Sequence, residues 1–497
     1  MANRCDISPG ACSTGVPGLD DVLCGGFPRN RLYLIEGDSG VGKTTLALQF
    51  LLEGARLNEN CLYITLSETK EELVQVAKSH GWSLEKITLL ELSSIEQQLK
   101  AETDHTFFHP SEVELNKTTK ILTDAVDQFK PSRLVFDSLS EMRLMAETPL
   151  RYRRQILGLK QFLAGKQCTI LLLDDHSGSD TDKQVRSLAH GVIGLQKQSP
   201  VYGINRRTLI VEKIRGVKFR EGFHDYAIER GGITVYPRLI AAEHRTQFTR
   251  ETVPSGIKEF DQLLGGGFDR GTSTIIMGPP GTGKSTLTIR QAFVAGQRGE
   301  HVNFYLFDET IATFVGRSAA LGMDLEPFVA KGLIKIEQID PAEILPGELM
   351  HRIRQAVTEE KTRMVVIDSI NGYLNAMPDE RYLSMQLHEL LAYLNQQGVI
   401  SMLVLAQQGA LGAMQSVVDL TYLADTVVVL RYFEAGGQVK QAISVLKKRS
   451  GEHERNIREL KITKEGIMVG EPLNEFHGIL TGVPTFVGTS QQMMSSK

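Results

Sequence analysis

The chain contains one unit twice. Thr14-Gly15-Val16-Pro17-Gly18-Leu19-Asp20 returns as Ser255-Gly256-Ile257-Lys258-Glu259-Phe260-Asp261, and Gly25-Gly26-Phe27-Pro28-Arg29 returns as Gly266-Gly267-Phe268-Asp269-Arg270. The offset is 241 residues from Thr14 to Ser255, and it still holds from Gly37 to Gly278 and from Glu68 to Glu309. It shortens to 231 between Asp137 and Asp368 and is 234 between Lys213 and Lys447. The first copy therefore carries an insertion of about ten residues, expected at residues 103–114 where the chain turns polar. Solenoid repeats have periods of about 20–50 residues, so a period this long is a duplicated domain, and one copy must fold much as the other does. The expected boundaries are 1–245 and 246–488, followed by a short flexible tail at 489–497.

Within each copy short apolar runs alternate with helical patterns. Arg31 to Glu36 enters a glycine loop, Thr45 to Leu52 is apolar and helical, and Cys61 to Leu66 is the next strand. A helix at Glu71 to Ser79 and strands at Arg133 to Phe136 and Gln167 to Leu173 follow. The second copy repeats the strands at Thr274 to Met277, Val302 to Phe307, Met364 to Ile367 and Ile400 to Leu405. This alternation predicts an α/β fold: two tandem P-loop NTPase domains, each a mostly parallel twisted sheet flanked by helices.

Gly37-Asp38-Ser39-Gly40-Val41-Gly42-Lys43-Thr44 and Gly278-Pro279-Pro280-Gly281-Thr282-Gly283-Lys284-Ser285 both fit G-x-x-x-x-G-K-[ST]. Glycines let the backbone curl so that several N–H groups face one phosphate chain, and the helix that follows aims its positive end at the same anion. Each match follows a strand, opens a helix and recurs at the repeat offset, which a chance match would not do. The candidate ATP contacts are Gly40, Val41, Gly42, Lys43, Thr44 and Thr45 in the first loop. In the second they are Gly281, Thr282, Gly283, Lys284, Ser285 and Thr286. Thr44 and Ser285 are candidate Mg²⁺ ligands through their hydroxyls.

Leu134-Val135-Phe136-Asp137 and Val365-Val366-Ile367-Asp368 are buried strands ending in an acid, the position that holds Mg²⁺ or its water shell beside a phosphate loop. After the preceding strand come Ser67-Glu68-Thr69 and Asp308-Glu309-Thr310. Glu68 and Glu309 are the candidate general bases, with Asp308 a further catalytic and metal candidate; the competing reading makes them N-cap or first-turn acids of the next helix. Lys213-Ile214-Arg215 and Lys447-Lys448-Arg449 follow strands near the end of each copy, and a cation on an edge element there can reach a neighbouring subunit's nucleotide.

Composition narrows the function. Hydrophobic residues at 41% and charged residues at 23% describe an ordinary globular chain. A net charge of -4 and scattered cations at residues 183–197 argue against a dedicated nucleic-acid binder. No run approaches the ~20 apolar residues of a membrane helix, and residues 1–18 hold no apolar signal core, so a cytoplasmic location without a membrane partner is expected. Cys5, Cys12, Cys24, Cys61 and Cys168 match no metal or redox spacing and are expected as reduced thiols.

The two leaders, both P-loops, the Asp308-Glu309 pair and the Lys-x-Arg segments together resemble the KaiC family of duplicated RecA-like ATPases and autokinases, over nearly the whole chain. The resemblance implies a homohexamer of two stacked rings with ATP and Mg²⁺ at the subunit interfaces, reached across by Lys213, Arg215, Lys447 and Arg449. It implies a slow ATPase in the first ring, an autokinase and phosphatase in the second, and clock-type or stress signalling. Three departures mark a divergent or non-cyanobacterial member. The family's paired glutamates read Ser67-Glu68 in the first copy and Asp308-Glu309 in the second. Its adjacent Ser and Thr phosphoacceptors fall on Thr421-Tyr422. The tail at 489–497 is shorter than the extension through which the family partner KaiA acts, whereas a KaiB-like partner on the first ring remains compatible. Two other readings stay open at this level: an ATP-assembled scaffold with little turnover, and a RecA-like DNA repair ATPase.

Overall fold

In a computed structural model of the chain, the residues described are 10–92, 110–146, 148–175, 185–375, 380–407, 420–480 and 485–486. Cys5, Lys183, the tail at 489–497 and most of the expected insertion at 103–114 lie outside them. Contacts divide the chain into two compact units, Asn3–Arg238 and Leu239–Lys497.

The first unit is built on a nine-stranded sheet. In chain order its strands are β1 (Leu32–Gly37), β2 (Cys61–Thr65), β3 (Thr88–Glu91), β4 (Arg133–Asp137), β5 (Thr169–Asp175), β6 (Gly191–Gln198), β7 (Arg206–Ile214), β8 (Phe223–Glu229) and β9 (Gly232–Tyr236). Their order across the sheet is β3-β2-β4-β5-β1-β6-β7-β8-β9. The run from β3 to β6 is parallel, and β7 to β9 form an antiparallel meander on its flank. The second unit repeats this with β10 (Ser273–Gly278), β11 (Val302–Leu306), β12 (Ile334–Gln338), β13 (Met364–Asp368), β14 (Ile400–Ala406), β15 (Thr426–Ala435), β16 (Gln438–Lys448), β17 (Arg458–Thr463) and β18 (Gly466–Pro472). Its order, β12-β11-β13-β14-β10-β15-β16-β17-β18, is the same topology position for position. Two tandem RecA-like P-loop domains are therefore the architecture.

The parallel strands read as continuous apolar runs because both faces are buried. Tyr33, Ile35, Tyr63 and Leu171 enter one core with Phe50 of the phosphate-loop helix. Their chain neighbours Leu34, Ile64 and Leu172 enter the opposite core with Tyr152 and Ile156. The second unit divides Ile276, Phe304 and Val366 from Ile275, Tyr305 and Val365 in the same way. This period-two partition fixes register, since a slip by one residue would exchange the two faces. Register in turn sets which strand ends share a rim of the sheet.

At the start of β4, Arg133 is fully buried. Its Nε donates to Glu59 Oε2 at 2.5 Å, its Nη1 donates to the Ser13 and Phe50 carbonyls at 2.7 Å, and its guanidinium lies 4.7 Å from the Phe50 ring centre. It ties the leader, the phosphate-loop helix and the sheet together. Arg133→Ala removes these bonds from the buried strand start and leaves Glu59 to Arg29 alone, and the first unit is expected to lose about 3 kcal/mol. Urea unfolding followed by the fluorescence of Trp82, the chain's single tryptophan, checks this. Cys12, Cys61 and Cys168 are buried free thiols, as expected, but Cys24 is disulfide-bonded, which corrects the reading of an entirely reduced set.

Candidate active sites

Both phosphate loops leave the carboxyl end of the central strand, after Gly37 of β1 and Gly278 of β10. The helices that follow, Lys43–Arg56 and Lys284–Gln297, start from Gly42 and Gly283, whose φ angles are 99° and 94° and which offer no side-chain cap. The first-turn N–H groups are thus left for an anion. Glycine is needed for space as well as for conformation: a Cβ at Gly42 would stand 2.7 Å from Ile228 Cδ1, and one at Gly283 would strike Ile462 Cδ1.

Lys43 folds back on its loop, donating to the Gly37 carbonyl at 2.7 Å and the Asp38 carbonyl at 2.9 Å, and pairs with Asp175 Oδ1 at 2.7 Å. Lys284 donates to the Pro279 carbonyl at 2.7 Å. Burial draws its pKa down to about 8, against the pull of Asp368. Ala406 stands in register with Gly278 where Asp175 stands with Gly37, so the second site has no carboxylate at that place. Thr45 and Thr286 are buried in the first helical turns, and Val41 and Thr282 are buried in the loops.

The acids converge on the same strand ends. Thr44 Oγ1 lies 3.5 Å from both Glu68 Oε1 and Asp137 Oδ2. Tyr63, buried on β2, donates its hydroxyl to Asp137 Oδ2 at 2.5 Å. Burial pushes the Glu68 pKa up to about 7, reinforced by the charges of Asp137 and Glu72. Glu68 Oε2 is buried with no hydrogen-bond partner among the described residues. The competing helix-capping role belongs to the next residue: Thr69 forms a capping box with Glu72, and Thr310 caps the helix Ile311–Ala320. In the second unit Lys284, Ser285, Asp308, Glu309 and Asp368 line one cavity. Asp308 accepts from the Ser369 hydroxyl, and Glu309 Oε2 accepts from Arg317 Nη2 at 2.6 Å. Asp368 Oδ2 is buried without a partner among the described residues, and burial raises the carboxyl's pKa against a hydrogen bond from Ser285.

These groups fit a magnesium ion. Mg²⁺ keeps most of its water and takes one or two protein oxygens beside the phosphates, so a three-carboxylate cage is not required. Thr44 with Asp137, and Ser285 with Asp368 and Asp308, supply such oxygens, and the orphaned Asp368 Oδ2 is an acceptor in want of a charge.

Lys213, Arg215, Lys447 and Arg449 are not at these sites. Lys213 pairs in register with Val192, near the start of β6, and Gly191 stands beside Tyr33 at the start of β1. Arg215 Nη2 donates to the Ser187 carbonyl at 2.7 Å. The phosphate loop leaves the other end of β1, roughly 15 Å away at ~3.3 Å per residue. The second unit is arranged alike. Lys447 Nζ donates to the carbonyls of Thr421 at 2.8 Å and Ala424 at 2.7 Å, and Arg449 Nη2 donates to that of Tyr422 at 2.7 Å. Asp425 N donates to the Ser273 carbonyl, which fixes this cluster at the start of β10. The expectation of edge elements is corrected: β7 and β16 are interior strands, and the cations project from the amino-terminal rim of the sheet. The candidate acceptors Thr421 and Tyr422 share that rim, so their own chain's second phosphate loop is out of their reach.

The residue reading missed Tyr63, Asp175 and Arg317. Tyr63 sits in an apolar run read only as a core strand, and Asp175 lies two residues past the end of another, Gln167 to Leu173, which the structure extends to include it. Arg317 lies eight residues after Glu309, and its spacing carried no signal until the turn between strand and helix was seen.

The family model for the KaiC ATPase matches residues 12–240 and again 253–474. The chain belongs to this family. ATP is accordingly its nucleotide and ATP hydrolysis its class of activity. Among similar proteins is the "Circadian clock oscillator protein KaiC" of Acaryochloris marina, 25% identical over 495 residues that span 96% of this chain and 92% of that one. The protein of the same name from Synechococcus elongatus is 25% identical, covering 97% and 93%. The "Circadian clock protein KaiC3" of Synechocystis sp. is 25% identical, covering 96% and 95%. At this distance the family's fold and ATPase class carry over to a divergent member. No described helix is long and apolar enough to cross a membrane.

Proposed function

We propose that this chain is a KaiC-like, Mg²⁺-dependent ATPase that works as a homohexameric ring, with residues 1–245 and 246–488 each processing one nucleotide per protomer. The observation that carries the reading is the division of each site between two rims. The phosphate loop, metal ligands and general base sit at the carboxyl ends of the strands, and the Lys-x-Arg cations sit at the opposite ends. A guanidinium at the far rim serves a nucleotide only if that nucleotide belongs to a neighbouring protomer, and ATP then joins subunits by mass action.

In the first site Glu68 takes the proton of the attacking water. Lys43 leaves Asp175 for the phosphate chain. In the second site Thr421 accepts the phosphoryl group of a neighbour's ATP, with Glu309 or Asp308 taking the hydroxyl proton, and the same acids serve its removal. Tyr422 is the poorer acceptor because its hydroxyl stands several ångströms farther from the backbone. The output is clock-type or stress signalling, of which the relatives' names describe the first, a circadian clock.

Single-site variants test the reading. Lys43→Ala is expected to prevent ATP-dependent assembly. Lys284→Ala is expected to assemble normally and to lose phosphate transfer to Thr421, followed by mass spectrometry after incubation with Mg-ATP. Sizing columns run with and without ATP supply the first readout. Normal hexamers from the Lys43 variant would contradict the proposal.

A further inference from the structure

The two sites differ at one buried position that faces the metal-binding acid. Tyr63 on β2 stands in register with Val135, two residues before the level of Asp137. Phe304 on β11 stands in register with Val366, two residues before the level of Asp368. The positions are equivalent, both side chains are fully buried, and they differ by one hydroxyl. That hydroxyl donates to Asp137 Oδ2 at 2.5 Å, while Asp368 Oδ2 is buried and has no partner among the described residues.

A carboxylate oxygen has two lone pairs. Tyr63 engages one of those on Asp137 Oδ2 from the sheet side and leaves the other toward Thr44 Oγ1, 3.5 Å away. A donor held rigidly in a core strand fixes the rotation of the carboxylate before any ion arrives. Such outer partners orient metal ligands, and their loss typically costs about 10–100-fold in metal affinity. Phe304 gives Asp368 no such donor.

We propose that Tyr63 is a positioning residue that pre-orients Asp137 for a divalent cation, and that its absence at Phe304 makes the second site the weaker cation site of the two. The inference rests on the reading of Asp137 and Asp368 as metal ligands. At limiting magnesium the first site fills before the second, so the free cation level selects which domain works.

The test exchanges the two residues in the full-length chain, Tyr63→Phe and Phe304→Tyr. Each is made where the other site's loop lysine is replaced by alanine, so that one site is read at a time. Mn²⁺ is titrated in the presence of ADP and followed by electron paramagnetic resonance, with ADP affinity without metal measured separately by a fluorescent analogue. Tyr63→Phe is expected to weaken Mn²⁺ binding at the first site about 10–100-fold, with metal-free ADP affinity unchanged. Phe304→Tyr is expected to strengthen it at the second site. A merely structural hydroxyl would move thermal stability and leave the Mn²⁺ titration in place, and that result overturns the inference. Tighter Mn²⁺ binding by Tyr63→Phe overturns it as well, because the hydroxyl would then compete with the ion. Parent proteins that bind ADP but no Mn²⁺ overturn the metal-ligand reading itself, whatever the exchanges do. Should one variant not fold, the other decides alone.

Discussion

Glu68→Gln is expected to lower hydrolysis at the first site by about 10²–10⁴-fold, the contribution of a positioned general base. The amide keeps the shape of the side chain and its place 3.5 Å from Thr44, but it cannot accept a proton. Glu68 suits the role because Oε2 is buried and unpartnered among the described residues, while Oε1 faces the loop threonine. Glu309 is held differently, by the guanidinium of Arg317 at 2.6 Å. The position equivalent to Arg317 at the repeat offset is Val76, so the first base has no such clamp. Phosphate release by chains carrying Lys284→Ala isolates the first site, and filter binding of ATP shows whether the nucleotide is retained. The expected outcome is retained ATP with hydrolysis nearly abolished. Full turnover by Glu68→Gln would remove Glu68 from the chemistry.

Arg449→Ala is expected to slow phosphate transfer at the second site severely. Where an arginine supplied across an interface drives phosphoryl transfer, its loss costs about 10³–10⁵ in rate. In the single chain Arg449 is half exposed, donating to the Tyr422 carbonyl and standing 3.7 Å from Asp425. It is tethered at the rim but not consumed by a buried partner. Arg449→Lys keeps the charge and loses the fork that grips two phosphate oxygens, so it is expected to fall between wild type and Arg449→Ala. Phosphorylation of Thr421 measured over time in the three proteins gives the order. Equal rates would show that the rim cation plays no part in transfer.

The architecture was legible because two independent signals agreed. The duplicated glycine loops set the phosphate chemistry, and the apolar runs around Leu134 and Val365 could only be strands buried on both faces. Glu68, Asp137, Glu309 and Asp368 were legible for a related reason: strand ends in a parallel sheet share one rim, so acids that end neighbouring strands must meet at the loop. What stayed hidden depends on registers the sequence does not display. Lys213 and Lys447 looked like edge cations because the meander continuing through Phe223–Glu229 and Arg458–Thr463 was not recognised. Tyr63 read as one more β-favouring core residue, and only the pairing of β2 with β4 shows its hydroxyl meeting Asp137. Asp175 was hidden because an acid at the end of an apolar run looks solvated until Lys43 is found beside it. The cis peptide bonds after Asp137 and Asp368 left no trace in the sequence.

The measurement closest to the central claim mixes two disabled chains. One carries Arg449→Ala and keeps its second phosphate loop; the other carries Lys284→Ala and keeps Arg449. Neither alone should phosphorylate Thr421. If each second site joins the loop of one protomer to the rim of the next, mixed rings contain interfaces where Lys284 and Arg449 are both intact. Thr421 phosphorylation should then recover partly, in proportion to those interfaces. Mixed rings that form, as native mass spectrometry would show, and recover no activity would contradict the account.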